Sequence, residues 1–225
     1  ETPVLETPVL ETPVLETPVV VCIRQNPRWK RWLDLAVTVT ILPLICPLLG
    51  LISLYIRCIT GGPVLFVQSR VGYGGESFSI YKFRTMRVTR QSRDYLHRQY
   101  VAQRAYGNGP IQKPKFEDDL IPGGKLLRQL SLDELPQLIN VIQGNMSVVG
   151  PRPDLLQLVD YDNRQARRFE VLPGMTGLWQ VSGKNRLSFD KMIELDLRYV
   201  EQRSFYFDLR ILFRTIGVLI FERNE

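Results

Sequence analysis

Ser131–Pro153 reads SLDELPQLINVIQGNMSVVGPRP. Asp133 and Glu134 stand just ahead of an apolar run, Leu135, Leu138, Ile139, Val141 and Ile142, whose spacing is helical. Ser131 followed by Glu134 is the pattern of a capping box. Pro136 lacks an amide hydrogen and is tolerated only in a first turn, which places the helix start near 132–135. Gly144 is a natural stop. At a helix N-terminus the backbone dipole favours an anion, so Asp133 is expected to be ionised, and the same free amides attract phosphate. Downstream, Pro151 and Pro153 hold the backbone around Arg152 extended. A guanidinium on a stiff backbone suits bidentate phosphate recognition. An acid pair able to hold a divalent cation, with an arginine at the far end of one short helix, is what phosphoryl transfer needs. Alone, Asp133 and Glu134 could simply cap the helix; the whole run is more specific.

Upstream, the period changes. Val64-Leu65-Phe66-Val67 and Phe78-Ser79-Ile80-Tyr81 read as two short strands, with Gly72, Gly74 and Gly75 in the turn between them. This hairpin carries Arg70, Lys82 and Arg84. Residues 87–120 are arginine-rich and weakly helical, as a helix on an anionic surface or a solvated one.

Downstream, 154–170 reads as a charged surface helix. In VLPGMTGLWQVSGKNR, Val171–Arg186, Pro173, Gly174 and Gly177 make turns. Trp179 and Val181 alternate around Gln180 as in a short strand, with Trp179 packed in the core. Lys184 and Arg186 follow Gly183 and could bind phosphate or sugar. Residues 189–221 hold two helical patterns divided near Ser204. The second, Phe205–Phe221, carries Arg210 and Arg214 and is too charged to span a membrane comfortably. It fits a helix lying in the membrane plane or one buried in the core.

Towards the N-terminus, residues 33–56 contain one charge, Asp34. A straight helix of that length would reach roughly 36 Å, enough to cross a bilayer core of about 30 Å. Pro43 and Pro47 fall in its middle and each removes a helical hydrogen bond. Trp29 and Trp32 among Arg28, Lys30 and Arg31 mark a membrane edge, and Arg57, Arg70 and Lys82 follow. Basic residues on both flanks put both ends on the cytoplasmic side if the segment enters, bends and returns; a single-pass anchor is the alternative. No cleavable signal peptide is evident. Residues 1–20 repeat ETPVL, ending ETPVV, and proline every fifth residue makes them an extended linker without a chemical role.

The chain has 225 residues, a net charge of +6 and a pI of about 9.3. That charge suits nucleotide phosphates or an acidic membrane surface; the adjoining apolar segment argues against nucleic acid. Cys22, Cys46 and Cys58 show no CxxC pairing, which disfavours a disulfide framework and fits a reducing compartment. With one histidine, His97, they match no familiar zinc spacing.

SLDELPQ, the following GNMSVVGPRP, and QSRVG with YKFRTM together resemble the monotopic phosphoglycosyl transferases, the bacterial sugar transferase family, over roughly residues 28–222. The resemblance implies an α+β, mostly helical fold. It comprises a proline-broken re-entrant membrane helix within 21–60, interfacial amphipathic helices, and a small catalytic domain with a β-hairpin, 61–225. That domain would lie on the cytoplasmic face of the bacterial inner membrane. The implied reaction moves sugar 1-phosphate from a UDP-sugar to polyprenyl (undecaprenyl) phosphate, initiating exopolysaccharide, O-antigen or capsule assembly. Asp133 would be the nucleophile and Glu134 would help hold Mg2+. Lys82, Arg84, Arg128 and Arg152 would face the anionic substrates. Cys46-Pro47 takes the place of the family's Ser-Pro break, with Pro43 adding bend. Lys184 stands where arginine is more usual, and Asp118–Gly124 departs from the family's DPRxTxxG. The 87–120 insertion and GLWQVSG lean towards hexose-1-phosphate members. Larger members are often dimers, so a homodimer is open. The rival reading is a membrane-anchored basic protein that binds polyanions without catalysis.

Overall fold

A computed structural model of the chain describes residues 21–87, 119–154, 156 and 158–221. The pentapeptide repeat, nearly all of the arginine-rich 87–120 segment and Asp118 lie outside the described residues.

Helix α1, Arg28–Thr60, runs 33 residues and is long and apolar enough to cross a membrane by length and composition. No interruption marks Pro43 or Pro47; the helix continues through both. It stops at Gly61, whose positive φ lets its N–H turn back to the Arg57 carbonyl. Buried residues sit at its two ends, Lys30, Asp34 and Thr38 at one, Ile52 and Ile56 at the other. None lies in 39–51. The lone acid of the apolar run is thereby explained. Asp34 accepts hydrogen bonds from Ser147 Oγ (2.7 Å) and Val148 N (2.9 Å). Lys30 donates to Asp208 Oδ2 (2.6 Å) and the Val149 carbonyl (2.7 Å), and Tyr199 Oη donates to Asp208 Oδ1 (2.9 Å).

Both side chains of the Lys30–Asp208 pair are fully buried. Removing one partner from such a pair strands the other charge, at about 3–5 kcal/mol. Lys30→Met should lower folding stability by that order, read by denaturant unfolding in detergent, while Arg28→Met, at the exposed start of the helix, changes it little.

The hairpin is as expected but longer. Strands β1, Leu65–Val71, and β2, Ser77–Phe83, pair antiparallel with Leu65 opposite Phe83 and Val71 opposite Ser77. Helix α2, Gly124–Gln129, leads to a 3₁₀ turn, Leu132–Gln137, and helix α3, Leu138–Gln143. Gly144 ends α3 in the left-handed conformation. Strand β3, Ser147–Val149, lies parallel to β4, Gly174–Thr176. Gly150 and Gly174 must both lack side chains here: a Cβ on Gly174 would stand 2.1 Å from Gly150 N.

Two expectations fail around these strands. Residues 154–170 are not a surface helix. They form the short helix α4, Asn163–Ala166, between two 3₁₀ turns, with Tyr161, Arg168, Phe169 and Glu170 buried. The charges that suggested a solvated face are instead paired inside, Arg168 with Asp154 and Asp196, and Glu170 with Arg24. Trp179–Val181 is a turn rather than a strand, closed by Val181 N donating to the Gly177 carbonyl; Trp179 does pack against the main core.

Helices α5, Phe189–Gln202, and α6, Phe205–Phe221, divide at 203–204 as expected. Helix α6 is two-faced. Asp208 and Ile211 are buried, whereas Tyr206, Phe213, Ile216 and Leu219 are exposed. The main core gathers Ile80, Val141, Met146, Val149, Tyr199, Val200 and Ile211 from both strands pairs and helices α3, α5 and α6.

Candidate active site

Asn140 sets the geometry. It is fully buried, accepts Tyr81 N at its Oδ1 (3.1 Å) and donates Nδ2 to the Ser79 carbonyl (2.7 Å). The side chain thus completes the open edge of β2 and locks α3 beside it. The 3₁₀ turn that carries Asp133 and Glu134 is thereby held against the strand that carries Lys82. Sequence reading passed over Asn140; its signal was a polar residue on the apolar face of the Leu138–Ile142 run.

Glu134 is clamped. Lys82 Nζ donates to its Oε1 at 2.9 Å, and Arg152 forks onto both oxygens, with Nη1 at 2.9 Å from Oε2 and Nη2 on Oε1. Burial would raise this carboxyl, but Arg152 and Lys82 together hold it well below its ordinary range. The expected capping box does not form. Ser131 is in the left-handed region with no side-chain cap bond, and the Glu134 side chain goes to the two cations instead.

Asp133 is in a different state. It is half-buried and makes no hydrogen bond or close ion pair among the described residues. Burial and then the neighbouring Glu134 charge push its carboxyl up, against the pull of Lys82, Arg128 and Arg152. The dipole of a turn this short does not outweigh those two effects. Burial likewise lowers Lys82 despite Glu134. Two adjacent acids therefore differ in role: one is saturated with cations, the other open among them.

Arg152 is held as its flanking prolines promise, and by more. Arg168 Nη2 donates to the Arg152 carbonyl (2.7 Å), Gly174 N to that of Pro151 (2.8 Å), and Arg70 Nη1 to that of Pro153 (3.4 Å). Behind the loop, Arg168 Nη2 lies 2.7 Å from Asp196, whose carboxyl is pushed up to about 7 by burial, with Arg168 opposing and Asp154 adding to the rise. Arg168 and Asp196 were not anticipated, because charged residues in a polar stretch read as surface.

Other expected residues divide. Arg128 is exposed, near enough to act on Asp133, and touches Met86 Sδ at 3.8 Å. Arg84 turns to the Met86 carbonyl (3.3 Å), towards the end of α1. Lys184 and Arg186 form a separate turn whose backbone bonds run to Trp179 and Gly183. Among the described residues no three His, Cys, Asp or Glu side chains gather as a metal site. Magnesium needs only one or two carboxylates when substrate phosphates complete its shell. Asp133 fits that demand; Glu134 fits only by releasing one of its cation contacts.

Comparison with known proteins finds relatives over most of the chain. The chain is 40% identical over 188 residues to the uncharacterised sugar transferase EpsL of Bacillus subtilis, covering 83% of this chain and 85% of EpsL. It is 38% identical over 202 residues to the exopolysaccharide production protein ExoY of Rhizobium meliloti, 87% of each chain. It is 36% identical over 201 residues to the undecaprenyl-phosphate galactose phosphotransferase of Salmonella typhimurium, 85% of this chain but 40% of that longer protein. The bacterial sugar transferase model matches residues 25–222, which takes in α1, the hairpin, the acid pair and α6 alike. With a clamped glutamate, an open aspartate and a family match across nearly the whole chain, the conclusion is that this protein belongs to the bacterial sugar transferases and is a sugar-phosphate transferase, not a non-catalytic polyanion binder.

Proposed function

We propose that the protein transfers sugar 1-phosphate from a UDP-hexose to polyprenyl phosphate through an aspartyl intermediate on Asp133. One observation carries the reading: Asp133 is the carboxylate of the site left without a hydrogen-bonding partner, beside one that is fully engaged. An Asp133 oxygen attacks the phosphorus bearing the sugar; the bond from that phosphorus to the nucleoside monophosphate breaks and UMP leaves. An oxygen of the lipid phosphate then attacks the same phosphorus, the bond to Asp133 breaks and the carboxylate is restored. Arg152, Lys82 and Arg128 stabilise the phosphoryl oxygens, and Glu134 fixes the first two in place. Magnesium, when bound at Asp133, supplies charge neutralisation of the diphosphate.

The same reading makes α1 re-entrant. Prolines are where helices kink, two lie within the exposed 39–51 stretch, and both ends of the helix pack on one domain. Arg31 binds the last carbonyls of α3 (2.5 and 2.7 Å) while Tyr55 binds the Pro122 carbonyl (3.0 Å). A bend would set both ends on the cytoplasmic side of the inner membrane, with the exposed face of α6 in the interface. The undecaprenyl-phosphate acceptor and the hexose come from the Salmonella relative's name, and a role in exopolysaccharide production from that of ExoY. The test is incubation with labelled UDP-galactose or UDP-glucose, magnesium and undecaprenyl phosphate. Stoichiometric UMP and labelled lipid diphosphate are expected; sugar transfer with release of UDP would overturn the reading.

A further inference from the structure

Beyond the Glu134 clamp, a line of cations leads from Asp133 to the C-terminal end of α1. Arg128 and Arg84 meet at Met86, one on its sulfur and one on its carbonyl. Arg84 lies one residue past β2, where its N–H still pairs with the Val64 carbonyl (2.9 Å), so it falls on the same side as Lys82 two residues back. On its other side Arg84 lies over the Gly61–Gly62 turn. A Cβ on Gly62 would stand 2.5 Å from Arg84 Nη1 and 3.7 Å from Cζ. Arg57 reaches the same turn and donates to the carbonyls of Gly61 (2.7 Å) and Gly62 (3.1 Å). Neither Arg57 nor Arg84 has a carboxylate partner among the described residues.

Two guanidiniums on one side-chain-free turn, without an acid to neutralise them, are a seat for a doubly charged phosphate. The surroundings say which phosphate. Leu51, Leu54 and Ile59, in the last turns of α1 before Gly61, are exposed, as are Leu126 of α2 and Leu130 just after it. An anion here has a hydrocarbon surface next to it, which a nucleotide would not use. We propose that Arg57 and Arg84, over the Gly61–Gly62 turn, bind the phosphomonoester head of the lipid acceptor, whose chain lies along the exposed leucines of α1. Arg128 then continues the track to Asp133. The inference rests on the reaction assigned above and adds the entry site of its second substrate.

The variants are Arg57→Gln and Gly62→Ala. Gly62 is not among the positive-φ glycines, so alanine fits the backbone and acts by displacing the Arg84 fork. Steady-state rates are measured in neutral detergent micelles with undecaprenyl phosphate and UDP-hexose varied in turn. In each variant the KM for the lipid phosphate should rise about tenfold or more, the scale of a lost charged hydrogen bond. The KM for UDP-hexose should stay within about twofold. Equal shifts in both constants, or no shift for the lipid, overturn the proposal. A second arm compares binding to vesicles with and without phosphatidylglycerol. If Arg57→Gln weakens only the binding to anionic vesicles and leaves the lipid KM unchanged, Arg57 is a general headgroup anchor and the proposal fails. Absence of lipid product with the wild type would instead sink the reaction itself.

Discussion

Asp133→Asn abolishes transfer, lowering kcat by about 10⁴-fold or more, the scale on which loss of a covalent nucleophile acts. The amide keeps the shape and removes the attacking charge. The same change should raise folding stability at neutral pH. Burial and Glu134 raise the Asp133 carboxyl, so its ionised form costs the folded state free energy above the raised pKa, and that cost fades as pH falls through it. Glu134 has the opposite sign. Its lowered pKa contributes stability above the ordinary carboxylate range, lost only as pH falls through the depressed value. Denaturant unfolding of Asp133→Asn and Glu134→Gln at pH 7 should therefore shift in opposite directions, up for the first and down for the second. For the wild type, kcat/KM should fall on acidification at a pH above the ordinary aspartate range of about 4, because Asp133 must be ionised to attack.

Arg152→Ala is the second large loss. It removes a two-pronged donor from Glu134 and a cation from the phosphoryl site in one step. Loss of one such stabilising group costs about 10²–10³ in kcat, and stranding Glu134 with Lys82 alone should add to it. Arg152→Lys should recover little. An ammonium cannot span both Glu134 oxygens, and fork geometry rather than charge is what the rigid Pro151–Pro153 backbone presents. Activity of Arg152→Lys within about threefold of wild type would show that position 152 supplies only charge.

The parts of this site that were legible from sequence are those with local causes. Asp133, Glu134, Pro136 and Gly144 lie in one stretch, and spacing alone placed the turn and its end. The hairpin announced itself by alternation and by Gly72–Gly75, and the break near Ser204 by the end of one periodic pattern. What stayed hidden depends on contacts far apart in sequence. Glu134 was read as a cap because Ser131 is three residues away; its actual partner Lys82 is 52 residues distant. Asp34 looked like an anomaly in an apolar run until β3 supplied Ser147 and Val148. Arg168 looked solvated because the pairing that buries it joins it to Asp196 in a different segment. Asn140 was invisible for the same reason: only the open edge of β2 explains a buried amide there.

The most direct measurement is the mass of the intact protein after rapid mixing with UDP-hexose and magnesium, without lipid acceptor. The mechanism expects a gain of one hexose phosphate on the peptide containing Asp133, matched by UMP, discharged by undecaprenyl phosphate and absent in Asp133→Asn. Full-rate transfer with no such adduct at any time, and undiminished in Asp133→Asn, would contradict it.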